Sequence, residues 1–225
     1  MTTKYTTRYI STLGTPVPAD QRVVQPNPAP LVKATTDVLF YGWWRSDRSA
    51  NLAHLPGFDV EVAENYPLVA ELARLDLAEI VTRVRDGHRP YVARLSGTPV
   101  AYGWSAVSRA SIGELGLEFA IPAGNCYLWD FATLPEWRGI GIYPRQIQAI
   151  LRRESSAAER FWIGHVDGNS ASMRGIVKAG FSMVGATERR DGQTLTFTPT
   201  GPDTQAWACA QLLGLRILWP SARSA

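Results

Sequence analysis

Residues 126–151, CYLWDFATLPEWRGIGIYPRQIQAIL, run from an apolar β-rich stretch into a helical one through Gly139 and Gly141, which flank an isoleucine. Such a junction fixes a strand, a tight turn and a helix in one step, so the segments on either side of it decide the fold class. Before it, RPYVARLSGTPVAYGWSAV places two β-rich runs about Ser96-Gly97 and reads as an antiparallel hairpin. GELGLEFAI and NCYLWDFATL read as two more strands, separated by Pro122-Ala123-Gly124. After it come a strand RFWIGHV, a helix NSASMRGIVKAG with Gly180 as its C-terminal stop, and strands FSMVGAT and TLTFTP as a closing hairpin. Upstream, VAENYPLVAELARLDLAEIVTRVRDG carries helical spacing at Leu68, Leu72, Leu75, Ile80 and Val84, enough for one or two helices ending at Gly87. This order predicts an α+β protein with a mixed, mostly antiparallel central sheet flanked by helices, and not an alternating βαβ array.

The chain has 225 residues, of which 45% are hydrophobic and 19% charged, so one well-filled core needs no disulfide or metal to hold it. Three divisions are expected: a Pro/Thr-rich arm over 1–35, a main domain over 36–200, and a C-terminal helix and tail over 201–225, with Asp203 or Thr204 as the cap of that helix. The net charge of +3 sits in the arm, where Lys4, Arg8, Arg22 and Lys33 face Asp20 alone, leaving the rest of the chain balanced. Without a basic stripe on the body, nucleic acid is not an expected partner. Cys126 and Cys209 match no metal-ligand or redox spacing, and His54, His88 and His165 are scattered, so no metal is expected. No stretch approaches the ~20 apolar residues of a membrane span, and the N-terminus lacks an apolar signal core; the expectation is a cytoplasmic protein with no membrane partner. The arm and the aromatic residues are compatible with a homodimer.

At the junction itself, a helix start presents unpaired N–H groups and the positive end of the helix dipole, which favour phosphate. Gly139 and Gly141 remove bulk from the approach and Arg138 adds charge. On these residues alone, plain turn-making glycines are the better explanation of the segment. A Walker loop is excluded because no G-K-(S/T) follows, and a dinucleotide fingerprint fits badly because the third glycine is missing. A second segment, VDGNSASMRGIVKAGF over 166–181, places Asn169 at a helix start and Ser172 one turn on.

Taken together, the two segments resemble the GNAT superfamily of acyl-CoA-dependent N-acetyltransferases. The superfamily's (Q/R)-x-x-G-x-(G/A) signature falls on Arg138, Gly139, Ile140, Gly141, Ile142 and Tyr143, after Pro135-Glu136-Trp137; the later one falls on Asn169, Ser172, Lys178, Gly180 and Phe181. The resemblance covers roughly residues 60–198. It implies a pair of parallel strands, YLWDFAT and FWIGHV, that splay apart around acetyl-CoA as co-substrate. The pantetheine arm would meet backbone groups of Phe131, Ala132 and Thr133, the diphosphate the amides from Gly139 to Tyr143, and the arm or thioester Asn169 and Ser172. The implied reaction moves an acetyl group to a primary amine of a small molecule by direct attack in a ternary complex; a module that binds acyl-CoA without turnover is the alternative.

Asp130 is the expected general base, because a bare charge within CYLWDFAT is costly to bury; a carboxylate bonded to neighbours for structural reasons is the competing reading. Glu118 is a second acidic candidate near the acceptor, against ordinary surface exposure. Tyr127 and Trp129 are expected to line the acceptor pocket, against core packing for at least one of them, and Tyr41, Trp43 and Trp44 could wall it or pack in the core. Two positions depart from the resemblance: Tyr143 stands where a third small residue is usual, and Ile176 stands where many members carry a tyrosine beside the leaving sulfur. Either no dedicated acid is used, or another hydroxyl such as Ser172, or a water, serves.

Overall fold

The structure is a computed structural model, and it describes residues 37–190 and 194–219. The expected arm over 1–35 lies outside the described residues. The chain runs β1 (Val38–Trp44), β2 (Phe58–Val62), α1 (Tyr66–Ala73), α2 (Leu77–Arg85), β3 (His88–Leu95), β4 (Thr98–Ala106), β5 (Arg109–Ile112), β6 (Leu117–Ala120), β7 (Asn125–Thr133), a 3-10 turn (Pro135–Trp137), α3 (Ile142–Glu154), β8 (Arg160–Val166), α4 (Ser170–Lys178), β9 (Ser182–Arg190), β10 (Thr194–Pro199), α5 (Asp203–Leu213) and β11 (Arg216–Ile217). Among the described residues, nine strands form one sheet in the order β11-β10-β9-β1-β8-β7-β4-β3-β2, and β5 and β6 form a separate ribbon. Among the same residues β7–β8 and β10–β11 are the parallel pairs. The mixed, mostly antiparallel architecture with flanking helices is as the sequence predicts.

Helices α3 and α4 cover one face, where Ile142, Ile147 and Ile150 of α3 and Ile176 of α4 pack with Tyr41, Tyr91, Leu128 and Phe161 of the strands. On the other face, α1 and α2 close over Val92, Tyr102 and Trp104, while α5 and the β5–β6 ribbon close over Phe40, Tyr127, Trp162 and Phe197. Burial on both faces explains why β1 carries no alternation, since an interior strand reads as a continuous apolar run. The C-terminal end of α3 is tied to the sheet through Glu154, which is 3% exposed. Its carboxylate accepts from Arg89 Nη1 at 2.8 and 2.9 Å, from Ser105 Oγ at 3.0 Å, and from the Tyr91 hydroxyl. A buried carboxylate is tolerable only with partners of this kind.

The aromatic run VLFYGWW, to which the sequence pattern assigns no element, is a central strand flanked by β8 and β9. The C-terminal helix needs a correction. Helix α5 takes Pro202 at its cap position with no side-chain bond, so Asp203 is its first residue and neither Asp203 nor Thr204 caps it. The tail adds the short strand β11 beyond that helix. Among the described residues no helix is long and apolar enough to cross a membrane.

Candidate active site

Strands β7 and β8 pair in parallel only from Asn125 opposite Arg160 to Leu128 opposite Ile163. Beyond that point β7 stays with β4, whereas Gly164, His165 and Val166 of β8 stay with β1. The two strands part, and each keeps one edge whose backbone groups have lost a ladder partner. A wedge with unpaired N–H and C=O groups therefore opens at the carboxyl end of β7.

A bulge shapes the β7 side of the wedge. Tyr102 faces Ala132 and Trp104 faces Trp129, so Asp130 and Phe131 together oppose Gly103. Asp130 takes φ +48°, uncommon for a residue with a side chain, and such conformations gather at functional sites. Gly103 is required by contact: a β-carbon there would overlap the Phe131 ring.

The Asp130 carboxylate points to the α1–α2 side of the sheet and pairs with Arg83 of α2. Arg83 also meets Glu79 at 3.0 Å, and its guanidinium lies 4.5 Å from the Trp129 ring centre and 5.2 Å from that of Trp104. Tyr102 completes the group: burial first, then the Asp130 charge and a hydrogen bond to it, push its phenol up to about 12. His88 stands edge-on to Trp129 at 5.0 Å, and burial holds its imidazole below the usual histidine range. Sequence reasoning singled out Asp130 and Trp129 here, but not Arg83, Tyr102, Trp104 or His88, which three other elements supply.

Across the mouth of the wedge, β7 passes through the 3-10 turn to Gly139 and Gly141, both left-handed with φ of +85° and +80°. No side chain caps α3, so its first amides are left to a ligand or to water. Successive N–H groups in such a turn form an anion-binding concavity. Arg138 Nε donates to Thr133 O at 3.0 Å, which fastens the turn to the end of β7. Arg145 lies beside it, donating from Nη1 to Gly141 O at 2.8 Å and from Nη2 to Ala53 O at 2.8 Å. Nothing in the spacing singles out Arg145 beyond its i+4 position from Gly141 on the first turn of the helix.

On the far side, Asn169 caps α4 by accepting from Ser172 N at 3.0 Å. Tyr143, in the first turn of α3, reaches toward α4. Its ring lies flush against Gly175, where a β-carbon would overlap it, and 5.4 Å from the Phe131 ring; its hydroxyl is 3.4 Å from Ser172 Oγ. The side chain thus points at α4 and away from the outer rim of the Gly139–Gly141 turn.

The wedge brings together Asp130, Phe131, Ala132 and Thr133 of β7, the turn from Arg138 to Tyr143, and Asn169 and Ser172. Trp129 borders it. Tyr127 does not join them: it is 4% exposed, edge-on to Phe119 at 5.3 Å, in the core under the β5–β6 ribbon. Glu118 lies exposed on that ribbon opposite Ser111. Tyr41 and Trp43 are core residues. A 240 Å³ depression lined by Trp43, Gln148, Leu151 and Ala179 belongs to the other end of α3. Among the described residues no group of three or more His, Cys, Asp or Glu could hold a metal ion.

No family model and no curated protein matches the chain. Among solved structures it is similar to a GNAT-family acetyltransferase from Novosphingobium aromaticivorans, 17% identical over 67% of this chain and 61% of that one, with a TM-score of 0.48. It is also similar to a GCN5-related N-acetyltransferase from Kribbella flavida, 16% identical over 65% of this chain and 54% of that one, TM-score 0.46. A third is AAC(6')-Ib in complex with ribostamycin and coenzyme A, 16% identical over 63% of this chain and 91% of that one, TM-score 0.46. The chain thus matches less than two thirds of the length of the first two. At these identities no residue role passes from those proteins to this one.

Proposed function

We propose that the protein is a GNAT-type N-acetyltransferase that moves an acetyl group from acetyl-CoA to a primary amine of a small molecule. The observation that carries the reading is the coincidence of the β7–β8 wedge with an uncapped helix start bearing Gly139 and Gly141 in left-handed conformation. The two features suit the two ends of one ligand. A polyamide arm finds ladder partners on the free edge of β7 at Phe131, Ala132 and Thr133, and a diphosphate finds amides from Gly139 to Tyr143 beside Arg138 and Arg145. Asn169 and Ser172 border the arm from α4.

Acetyl-CoA supplies an activated acyl group, and the chain's own residues do the rest. An unpaired N–H of β7 at the bulge can stabilise the oxyanion that forms when the amine adds to the carbonyl. Both cysteines are buried, and burial pushes both thiols well above their ordinary range, so neither is poised as an acyl carrier, which supports direct attack in a ternary complex. The acceptor would enter from the α1–α2 side, past Trp129, with Asp130 as the base that removes the ammonium proton. A second reading, an acyl-CoA-binding sensor or subunit without turnover, draws on one observation: Asp130 is already bonded to Arg83.

Incubation with acetyl-CoA and a panel of small primary amines, including amino sugars and amino acid derivatives, tests the two. Acceptor-dependent release of CoA is expected. Binding of CoA without transfer to any amine would favour the second reading, and absence of CoA binding would remove both.

A further inference from the structure

The depression at the last turns of α3 has a volume of 240 Å³ and stands apart from the wedge. Leu151, in its lining, is about 15 Å along the helix from Gly141 at the α-helical rise per residue. The apolar part of the lining is Trp43, Leu151 and Ala179, and the polar part includes Ser49, Gln148 and Arg152. Trp43 is only 4% exposed, and its indole N–H is buried with no hydrogen-bond partner. A donor buried in that way is unfavourable until an acceptor reaches it. Arg152 is exposed, and its guanidinium has no ion pair or hydrogen bond among the described residues.

The acceptors around the depression are largely spent. Leu151 O takes the N–H and the hydroxyl of Ser155, Ser155 O takes Arg45 Nη1 at 2.9 Å, and Ala179 O takes Gln148 Nε2 at 3.4 Å. Carbonyls at the ends of α3 and α4 would otherwise repel an anion, and these bonds cover them. What the lining has left over is donors: the Trp43 N–H, the Arg152 guanidinium and the Ser49 hydroxyl, with Gln148 Oε1 as the acceptor beside them. Ser49 belongs to the β1–β2 connection, which Gln148 and Arg145 hold against α3 through Ala50 O and Ala53 O. The rim is therefore formed before any ligand arrives.

We infer that this depression is a second binding site, for a small carboxylate with an aryl or branched alkyl body. A guanidinium fork matches a carboxylate, and the indole N–H offers a neutral donor to it. The ring of Trp43 with Leu151 and Ala179 gives the body an apolar wall, which an inorganic anion cannot use. The volume is below the ~300 Å³ at which sites for drug-sized ligands begin, so the ligand is small. The site goes beyond the acyltransferase reading and does not depend on it.

Titration with benzoate at constant ionic strength tests the site, with benzamide as the neutral counterpart and inorganic phosphate as the anion that lacks a body. The nitrogen–proton NMR signal of the Trp43 indole, identified by its absence in Trp43→Phe, should move downfield with benzoate and saturate. Calorimetry should show benzamide and phosphate binding at least about tenfold more weakly. Arg152→Gln alters an exposed residue and should leave the fold intact while weakening benzoate about 10- to 100-fold, the range for a hydrogen bond to a charged group. A folded Gly141→Asp should bind benzoate as the wild type does. No saturable movement of the Trp43 signal, equal affinity for benzamide or phosphate, or unchanged affinity in Arg152→Gln overturns the assignment and leaves the acyltransferase reading intact. Loss of benzoate binding in Gly141→Asp would put the carboxylate on the glycine turn and overturn it as well.

Discussion

The ring of Phe131 occupies the space that a side chain on Gly103 would need, across the bulge that turns β7 away from β8. The wedge and the bulge are thus one feature: with Asp130 and Phe131 opposing a single glycine, the carboxyl end of β7 bends, and Phe131 is aimed beneath Tyr143.

Gly103→Ala should force Phe131 out of place. Overpacking of this kind costs about 1–3 kcal/mol, so denaturant unfolding should show a loss of that size, together with weakened CoA binding. A stable variant with wild-type affinity would separate the bulge from the site.

Asp130→Asn removes the charge that Arg83 faces. Glu79 remains beside Arg83 at 3.0 Å, and the pair is partly exposed, so a stability loss of about 1–2 kcal/mol is expected, below that of a fully buried pair. If Asp130 is the base, kcat should fall at least about 100-fold with CoA affinity unchanged, as calorimetry and initial rates would report. Unchanged turnover would retire Asp130 as base and leave it as the anchor of Arg83.

His88 sets a pH dependence. Burial lowers its pKa from the ordinary 6.5, so near and below that value the unfolded chain binds a proton that the folded chain resists. The stability associated with neutral His88 is fully present above 6.5 and drains away as pH falls toward the folded value. Unfolding by denaturant at a series of pH values should show this decline, and His88→Gln should flatten it; an equally steep decline in the variant would assign it to another group.

The parts legible in the sequence are those fixed by local chemistry. Ser96-Gly97 marks the β3–β4 turn, Asn169 and Gly180 bracket α4, and RFWIGHV coincides with β8. The strand β1 escaped because burial on both faces erases the alternation that would reveal it, and β2, β5 and β11 escaped because they are short or lie at an edge. In the site, the glycine turn and the α4 cap were legible because both are contiguous. The pairing of Asp130 with Arg83, 47 residues apart, and of Tyr143 with Ser172, 29 apart, arises from packing between elements, which spacing along one chain does not encode. Tyr127 and Trp129 show the limit from the other side: two positions apart on one strand, one is sealed under the ribbon while the other borders the wedge.

On the reading proposed above, acyl-CoA binds at the wedge with its diphosphate on the Gly139–Gly141 turn. Calorimetric titration of acetyl-CoA into the wild type and into Gly141→Asp tests it most directly. The substitution puts a carboxylate at the anion seat and a side chain on a left-handed residue. Saturable binding by the wild type is expected, with affinity lowered at least about tenfold in the variant, from like-charge repulsion of ~1.4 kcal/mol or more. No binding by the wild type, or equal affinity in a folded Gly141→Asp, would contradict it.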